Sequence, residues 1–262
     1  MHNMEFYYKN GETMDIGFIG FGKVSQTLTK QLKKQHKIYT SIEGRSEKTI
    51  QQAQKSQINI LKTNQELQNT CELLINATSP KNALKTAKTY KNYKGLYLDL
   101  NNINPKTTQT IGTIFNKNFI NGAIIGKVTN LTLILLSGPK ANQLKFLNEN
   151  NIPTQVISNQ IEDASTLKML RSIYTKGLSS LLIETFDNAE NLKLTKQLWN
   201  ILEITENEDF KKSSISRIKN SKKSAKRKNE ELNEILNFLN EKNASEYNQI
   251  MTHATKNKFK EL

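Results

Sequence analysis

The sequence predicts an α/β domain on a parallel sheet followed by an all-α domain. Three observations predict it. Up to residue 158, short apolar runs alternate with amphipathic stretches. From about Glu162 the strand-like runs stop and apolar residues recur at three- and four-residue spacing. The first run ends in a glycine-rich turn, GFGKVS at 20–25. Strands alternating with helices of this length read as βαβ units, which place parallel strands side by side.

The strand-like runs are IGFIG (16–20), HKIYTSI (36–42), INIL (58–61), ELLINA (72–77), GLYLDL (95–100), FINGAIIG (119–126), LTLILL (131–136) and TQVIS (154–158). Helix-like segments lie near 23–35, 46–56, 80–91, 105–117 and 139–150. Ser79-Pro80 and Asn104-Pro105 put a capping residue before a proline at the first helical position, and Gly138-Pro139 follows the same logic. Beyond Glu162, Leu167, Leu170, Ile173, Tyr174, Leu178, Leu181 and Leu182 form the stripe of one long amphipathic helix, with Tyr174 expected in the core. Segments 195–205, 221–242 and 244–260 also read as helices. The expected division is an extension over 1–13, an α/β domain over 14–158 and a helical domain over 159–262.

The 262 residues suffice for one large domain or two modest ones. No apolar run reaches the roughly 18 residues that span a bilayer. The first fourteen residues hold no apolar core of a signal peptide, so a cytoplasmic protein without membrane association is expected. The one cysteine, Cys71, excludes an internal disulfide and a thiolate cluster, and His2, His36 and His253 have no partner at ligand spacing. No metal site is expected. The net charge is +14, with 20 basic against 9 acidic residues over 1–150 and 18 against 15 over 151–262. That asymmetry suits an anionic ligand on the first domain, and suits nonspecific nucleic-acid attraction equally.

The glycine turn matches G-x-G-x-x-G except that Ser25 takes the third glycine's place. Each position has its own role in a dinucleotide-binding, Rossmann-like domain. Gly20 allows the tight exit from the strand, and Gly22 lets a pyrophosphate approach the backbone. Ser25 is small enough for the helix to pack on the strand. The helix that starts with Lys23 and Val24 turns its free N–H groups and positive dipole end to the phosphates. Phe21 completes the turn. After the second run the chain reads EGRS, so Glu43 suits a ribose 2′-hydroxyl, while Arg45 and Ser46 suit a 2′-phosphate. The choice between NADP and NAD stays open. Two donors beside one carboxylate on a basic domain favour NADP. Ala77 and Thr78, at the end of the run 72–77, join the expected cofactor contacts.

These residues carry a family likeness. The chain resembles the 6-phosphogluconate dehydrogenase and β-hydroxyacid dehydrogenase superfamily, and within it a branch with a phosphogluconate-dehydrogenase-like helical C-terminal domain. The likeness spans about residues 14–239, through IGFIGFGKVSQTL, EGRSE, LYLDLNNINPKT, FINGAIIG, LSGPKA, DASTLKMLRSIYTKGLSSLLIE and AKRKNEELNEIL. It implies an NAD(P)-dependent dehydrogenase acting on a small anionic hydroxy compound, often a homodimer through its helical domain. It places the general acid/base at Lys168. Alcohol oxidation moves a proton as well as a hydride, and a partly desolvated lysine titrates nearer neutrality. Where the superfamily usually has Asn, one helical turn on, this chain has Ser172. Asn101 stands where Ser is common, as a contact for substrate or nicotinamide ribose. The substrate loop matches residues 121–127, with Ile125 in place of the usual serine. Lys127, or Arg171 and Lys176 on the long helix, then supply the anion contact, unless the last two are plain surface charges.

Residues 211–228 hold nine basic residues, no acidic one and no aromatic one. Without a stacking platform or a recognisable reading motif, nucleic-acid binding is not expected. The run reads as a solvated helix face and linker. The rival to a dehydrogenase is a nonenzymatic NADP-binding regulator or scaffold, suggested by Ser172 and Ile125.

Overall fold

The structure, a computed structural model, describes residues 12–129, 133–206 and 209–262. The extension expected over 1–13 lies outside the described residues, except for Glu12 and Thr13, which belong to no helix or strand. The chain divides into two compact units, the first reaching Lys168 and the second starting at Met169.

The first unit alternates strands and helices, as the apolar runs require. Its strands are β1 (Asp15–Ile19), β2 (Lys37–Ser41), β3 (Asn59–Leu61), β4 (Leu73–Asn76), β5 (Leu96–Asp99), β6 (Phe119–Ile125), β7 (Leu133–Ser137) and β8 (Thr154–Ser158). Between them run α1 (Lys23–Leu32), α2 (Glu47–Lys55), α3 (Asn64–Thr70), α4 (Ala83–Thr89), α5 (Pro105–Phe115) and the single turn α6 (Phe146–Glu149). The strands form one sheet in the order β3-β2-β1-β4-β5-β6-β7-β8. Continuous apolar strands are what a sheet covered on both faces demands, and β4 and β5 are buried at every residue. One apolar layer gathers Ile16, Phe18, Leu28, Leu73, Ile75 and Leu98; the other gathers Leu67, Leu74, Ala87, Tyr90, Tyr97 and Phe119.

The sheet is not all parallel. β7 runs antiparallel to β6, and β8 then pairs parallel with β7. Only residues 126–132 join β6 to β7, too few for a parallel crossover of a dozen residues or more. Several expected helices are shorter than their patterns. Residues 80–91 start as a 3-10 turn before α4, and 139–150 hold a 3-10 turn and α6. Asn104 caps α5 by accepting from the Thr107 N–H at 2.8 Å, whereas Ser79 makes no side-chain cap and Gly138-Pro139 starts no helix. Helix α3 has no counterpart among the expected elements. It rests on a capping box, in which the Thr63 hydroxyl and the Glu66 carboxylate satisfy each other's backbone N–H groups.

Helix α7 (Asp163–Asn191) passes through the division and continues into the second unit. That unit adds α8 (Thr195–Thr205), α9 (Phe210–Lys223), α10 (Ala225–Glu241) and α11 (Ile250–Lys260). Its core holds Ile183, Leu232, Ile235, Phe238, Leu239 and Phe259. Each such buried side chain contributes roughly 1.5–3 kcal/mol. The helix expected over 221–242 begins instead at Ala225, because Ser224 ends α9 and separates the two. The basic run is therefore α9 and the first turn of α10, not a linker. Tyr174 is not core: it is 68% exposed, and Leu167, Leu170 and Leu181 are exposed with it. The spacing identified the helix but not which stripe packs; Leu182, Ile183 and Phe186 are the buried ones. Among the described residues, no helix is long and apolar enough to cross a membrane.

Candidate functional site

The strand order reverses between β1 and β4, and in open α/β sheets ligands bind where it reverses, outside the strands' carboxyl ends. The loops after those strands hold the glycine turn and Ala77-Thr78. They meet closely: a Cβ on Gly20 would stand 2.9 Å from Thr78 Cγ2 and 3.3 Å from the Ala77 carbonyl oxygen, and Gly20 has φ +84°. Gly20 is thus required by the turn itself. Gly22 is different. It is the N-cap of α1, and a Cβ there would meet nothing within 4 Å. The fold leaves open space above the start of α1, where unpaired N–H groups concentrate positive potential. Ser25 is fully buried and donates to the Gly20 carbonyl at 2.7 Å, so its hydroxyl ties the helix back to the turn. Phe21 is buried in the sheet core at 1% exposure, so it anchors the turn rather than facing a ligand. Lys23 is exposed, and Val24 packs partly against the core.

A polar cavity of about 320 Å³ opens beside this turn, lined in part by Glu43, Arg45, Asn64, Thr78 and Lys85. Thr78 belongs to both regions and joins them. The Glu43 carboxylate accepts from the Asn64 N–H at 2.6 Å, so one of its oxygens is engaged within the protein. Buried Tyr90 donates to Asn64 Oδ1 at 2.6 Å, and burial pushes its phenol up to about 12, against the pull of the Arg45 guanidinium. Arg45 Nε is buried with no hydrogen-bond partner. A buried, unsatisfied guanidinium nitrogen costs free energy until an acceptor arrives. The Ser46 hydroxyl accepts from the Thr49 N–H at 3.4 Å as the cap of α2.

At the carboxyl ends of β4 and β5 lies a buried polar knot. Asp99 accepts from the Asn101 N–H at 2.8 Å, from Asn101 Nδ2 at 3.2 Å and from Asn76 Nδ2 at 2.8 Å. The Thr78 hydroxyl donates to Asn76 Oδ1 at 3.0 Å, which turns the Asn76 amide nitrogen to Asp99. Burial pushes the Asp99 carboxyl up to about 7, against the donors from Asn101 and Asn76. The folded value lies above the unfolded one, so between about pH 4 and 7 the folded chain keeps a proton that the unfolded chain has lost. Asp99 therefore stabilises the fold less as pH rises through that window, and its contribution levels off above it. In denaturant titrations at pH 5 and pH 8, the stability of wild type relative to Asp99→Asn is expected to fall by a few kcal/mol towards the higher pH. An unchanged difference would contradict a buried, protonatable Asp99.

The first turn of α7 is pinned to the sheet. Ser137 on β7 accepts from the Ala164 N–H at 3.1 Å and donates to the Ile161 carbonyl at 3.0 Å. Ser165 is held between Asn121 on β6 at 2.8 Å and Thr108 on α5 at 3.2 Å. Lys168, half-buried, stands one turn further along, with Ser172 four residues beyond it. Arg171 and Lys127 are exposed. Lys176 is not a surface charge: it is 6% exposed and pairs with Glu231 on α10 at 3.0 Å.

Residues 15–98 match the family described as NADP oxidoreductase, coenzyme F420-dependent. An uncharacterized 28.5 kDa protein of Methanothermus fervidus is 41% identical over 251 residues, covering 95% of this chain and 99% of that one. A solved structure at 35% identity and TM-score 0.84 covers 95% of this chain and 96% of its own; it is a conserved protein of unknown function reported as structurally similar to 3-hydroxyacid dehydrogenases. The chain belongs to the β-hydroxyacid dehydrogenase superfamily. The fold extends to the 3-hydroxyisobutyrate dehydrogenase of Mycobacterium tuberculosis with L-serine, at 11% identity, TM-score 0.78 and coverage of 95% of this chain and 93% of that one.

Within this superfamily's pyridine-nucleotide-binding domain, Gly20, Gly22, Ser25, Ala77 and Thr78 come together, and Glu43 and Arg45 line the adjoining cavity. Asp99, Asn76, Tyr90, Asn64 and Lys85 escaped the sequence reading. A lone Asp in LYLDL and a lone Asn in LLINA were the available signals, since a polar group in a fully apolar strand is buried for a reason. Nothing local foretold the pairing of Tyr90 with Asn64 or of Glu43 with the Asn64 backbone.

Proposed function

We propose that the chain is an NADP-dependent dehydrogenase of a small anionic hydroxy compound. The observation that carries this reading is the space above Gly22: the fold does not need a glycine there, whereas a pyrophosphate lying against the backbone does. The residues present fit the dinucleotide. Gly20, Gly22, Lys23 and Val24 offer backbone N–H groups to the phosphates, and Ala77 and Thr78 form the facing wall. Arg45 and Lys85 favour a 2′-phosphate over a bare hydroxyl, because Glu43 is engaged with Asn64 and Arg45 Nε lacks an acceptor.

A bound nicotinamide would supply the hydride acceptor for the substrate carbon, or the hydride donor in the reverse direction. Lys168 takes the proton from the substrate hydroxyl during oxidation and returns it in the reverse direction. Ser172, on the same helix face, donates a hydrogen bond to that oxygen. Asn101, fixed by Asp99, orients the substrate or the ribose beside it. Lys127, exposed just beyond β6, is the residue of the first unit that would bind the substrate anion. A homodimer through the helical unit completes the reading, supported by exposed Leu181, Leu192, Ile201 and Ile204; sedimentation equilibrium is expected to return the dimer mass, and a monomer at micromolar concentration would exclude it.

Cofactor preference tests the reading most simply. Arg45→Ala is expected to weaken NADPH binding by about ten- to a hundredfold, the loss of a charge-assisted hydrogen bond, and to leave NADH binding within about twofold. An equal loss for both cofactors would remove Arg45 from the 2′-phosphate.

A further inference from the structure

The second unit carries an open, solvent-facing cavity of about 450 Å³ lined by α7, α9 and α10, of a size that takes small ligands. Its charge is unbalanced. Lys176, Arg217 and Lys228 line it, and Glu231 is its one lining carboxylate. Glu231 is already shared by Lys176 at 3.0 Å and Arg227 at 3.3 Å. Lys228 donates to the Ser221 hydroxyl at 2.6 Å and stands 5.3 Å above the Phe259 ring. Arg217 donates to the Thr175 carbonyl at 3.4 Å. Among the described residues, neither Arg217 nor Lys228 has a carboxylate within ion-pair distance.

Grouping half-buried cations without counter-charge is unfavourable. The strain shows in Lys228, whose ammonium is pushed down to about 8 by burial and by Lys176, Arg217 and Arg227, against the pull of Glu231. The walls add a donor. The exposed Ser216 hydroxyl accepts from Asn220, which leaves its proton to donate, while buried Ser221 serves to hold Lys228 in place. A dianion with several oxygens satisfies this set, as a phosphate group does.

We propose that the helical unit binds a phosphate group in this cavity, with Arg217 and Lys228 as its principal contacts. The basic run of the sequence then has a purpose: two of its cations turn inward to one ligand, Lys211, Lys222 and Arg227 pair with carboxylates, and the other four are exposed. The proposal does not rest on the cofactor reading.

The test is calorimetric titration of the full-length protein at low ionic strength with inorganic phosphate and with glycerol 3-phosphate. Saturable binding of either at one site is expected, and the tighter of the two shows whether the site takes the free ion or an ester-borne phosphate. Arg217→Gln and Lys228→Gln are each expected to weaken binding at least tenfold. Both variants are expected to melt at or above the wild-type temperature, since each removes like-charge repulsion. Lys223→Gln, an exposed cation of the same run outside the cavity, is expected to bind as wild type. Absence of saturable binding of both probes, wild-type affinity in the two cavity variants, or an equal loss in Lys223→Gln would overturn the site.

Discussion

Gly22→Val is expected to leave the protein folded and to weaken NADPH binding at least a hundredfold. The backbone at Gly22 has φ −86°, open to any L-residue, and a Cβ there touches nothing within 4 Å. Valine is a poorer helix N-cap than glycine, which costs about 1 kcal/mol. The melting temperature should therefore fall by several degrees at most. The ligand loses far more, because the valine methyls fill the space where a pyrophosphate meets the N-terminus of α1. A hundredfold loss corresponds to about 2.7 kcal/mol. Gly20→Ala makes the contrast, since φ +84° and the 2.9 Å approach to Thr78 put its damage in the fold. Paired melting curves and NADPH fluorescence titrations separate the two effects. Wild-type affinity in Gly22→Val would mean that no pyrophosphate lies there.

Lys168→Ala is expected to lower kcat by about 10²- to 10⁴-fold, the usual contribution of a positioned acid/base. NADPH affinity should stay within about twofold, because Lys168 lies outside the glycine turn. Helix α7 should survive the change, since alanine is the best helix former and Ser137, Asn121 and Thr108 hold the preceding turn. The assay is NADP reduction over a panel of small 3-hydroxy acids, with the best wild-type substrate carried to the variant. Equal kcat in the variant would remove Lys168 from proton transfer.

The glycine turn was legible because each of its positions meets one local demand, whether a tight exit, an open backbone or a small packing contact. The structure adds that Ser25 does more than fit, since its hydroxyl holds the turn. The antiparallel β6–β7 pair was legible too, in the short gap between FINGAIIG and LTLILL, but alternation with helices was read as parallel throughout. Helix α3 carried its signal in Thr63 and Glu66 rather than in apolar spacing, as Leu67 is its one buried residue. Helix α9 was hidden by its charge. Its sequence FKKSSISRIKNSKK has few apolar residues to reveal a face. Partners distant in sequence were not legible at all. Lys176 meets Glu231 55 residues on, and Glu43 meets Asn64 across 21 residues. Single-chain patterning reports what each segment buries, not what it buries it against, and Tyr174 shows the difference.

The central claim is that the glycine turn binds a pyridine dinucleotide. Equilibrium titration of the full-length protein with NADPH and NADH, followed by nicotinamide fluorescence, tests it most directly. Saturable binding of NADPH, tighter than that of NADH, is the result expected. Failure of both cofactors to bind at millimolar concentration would contradict it.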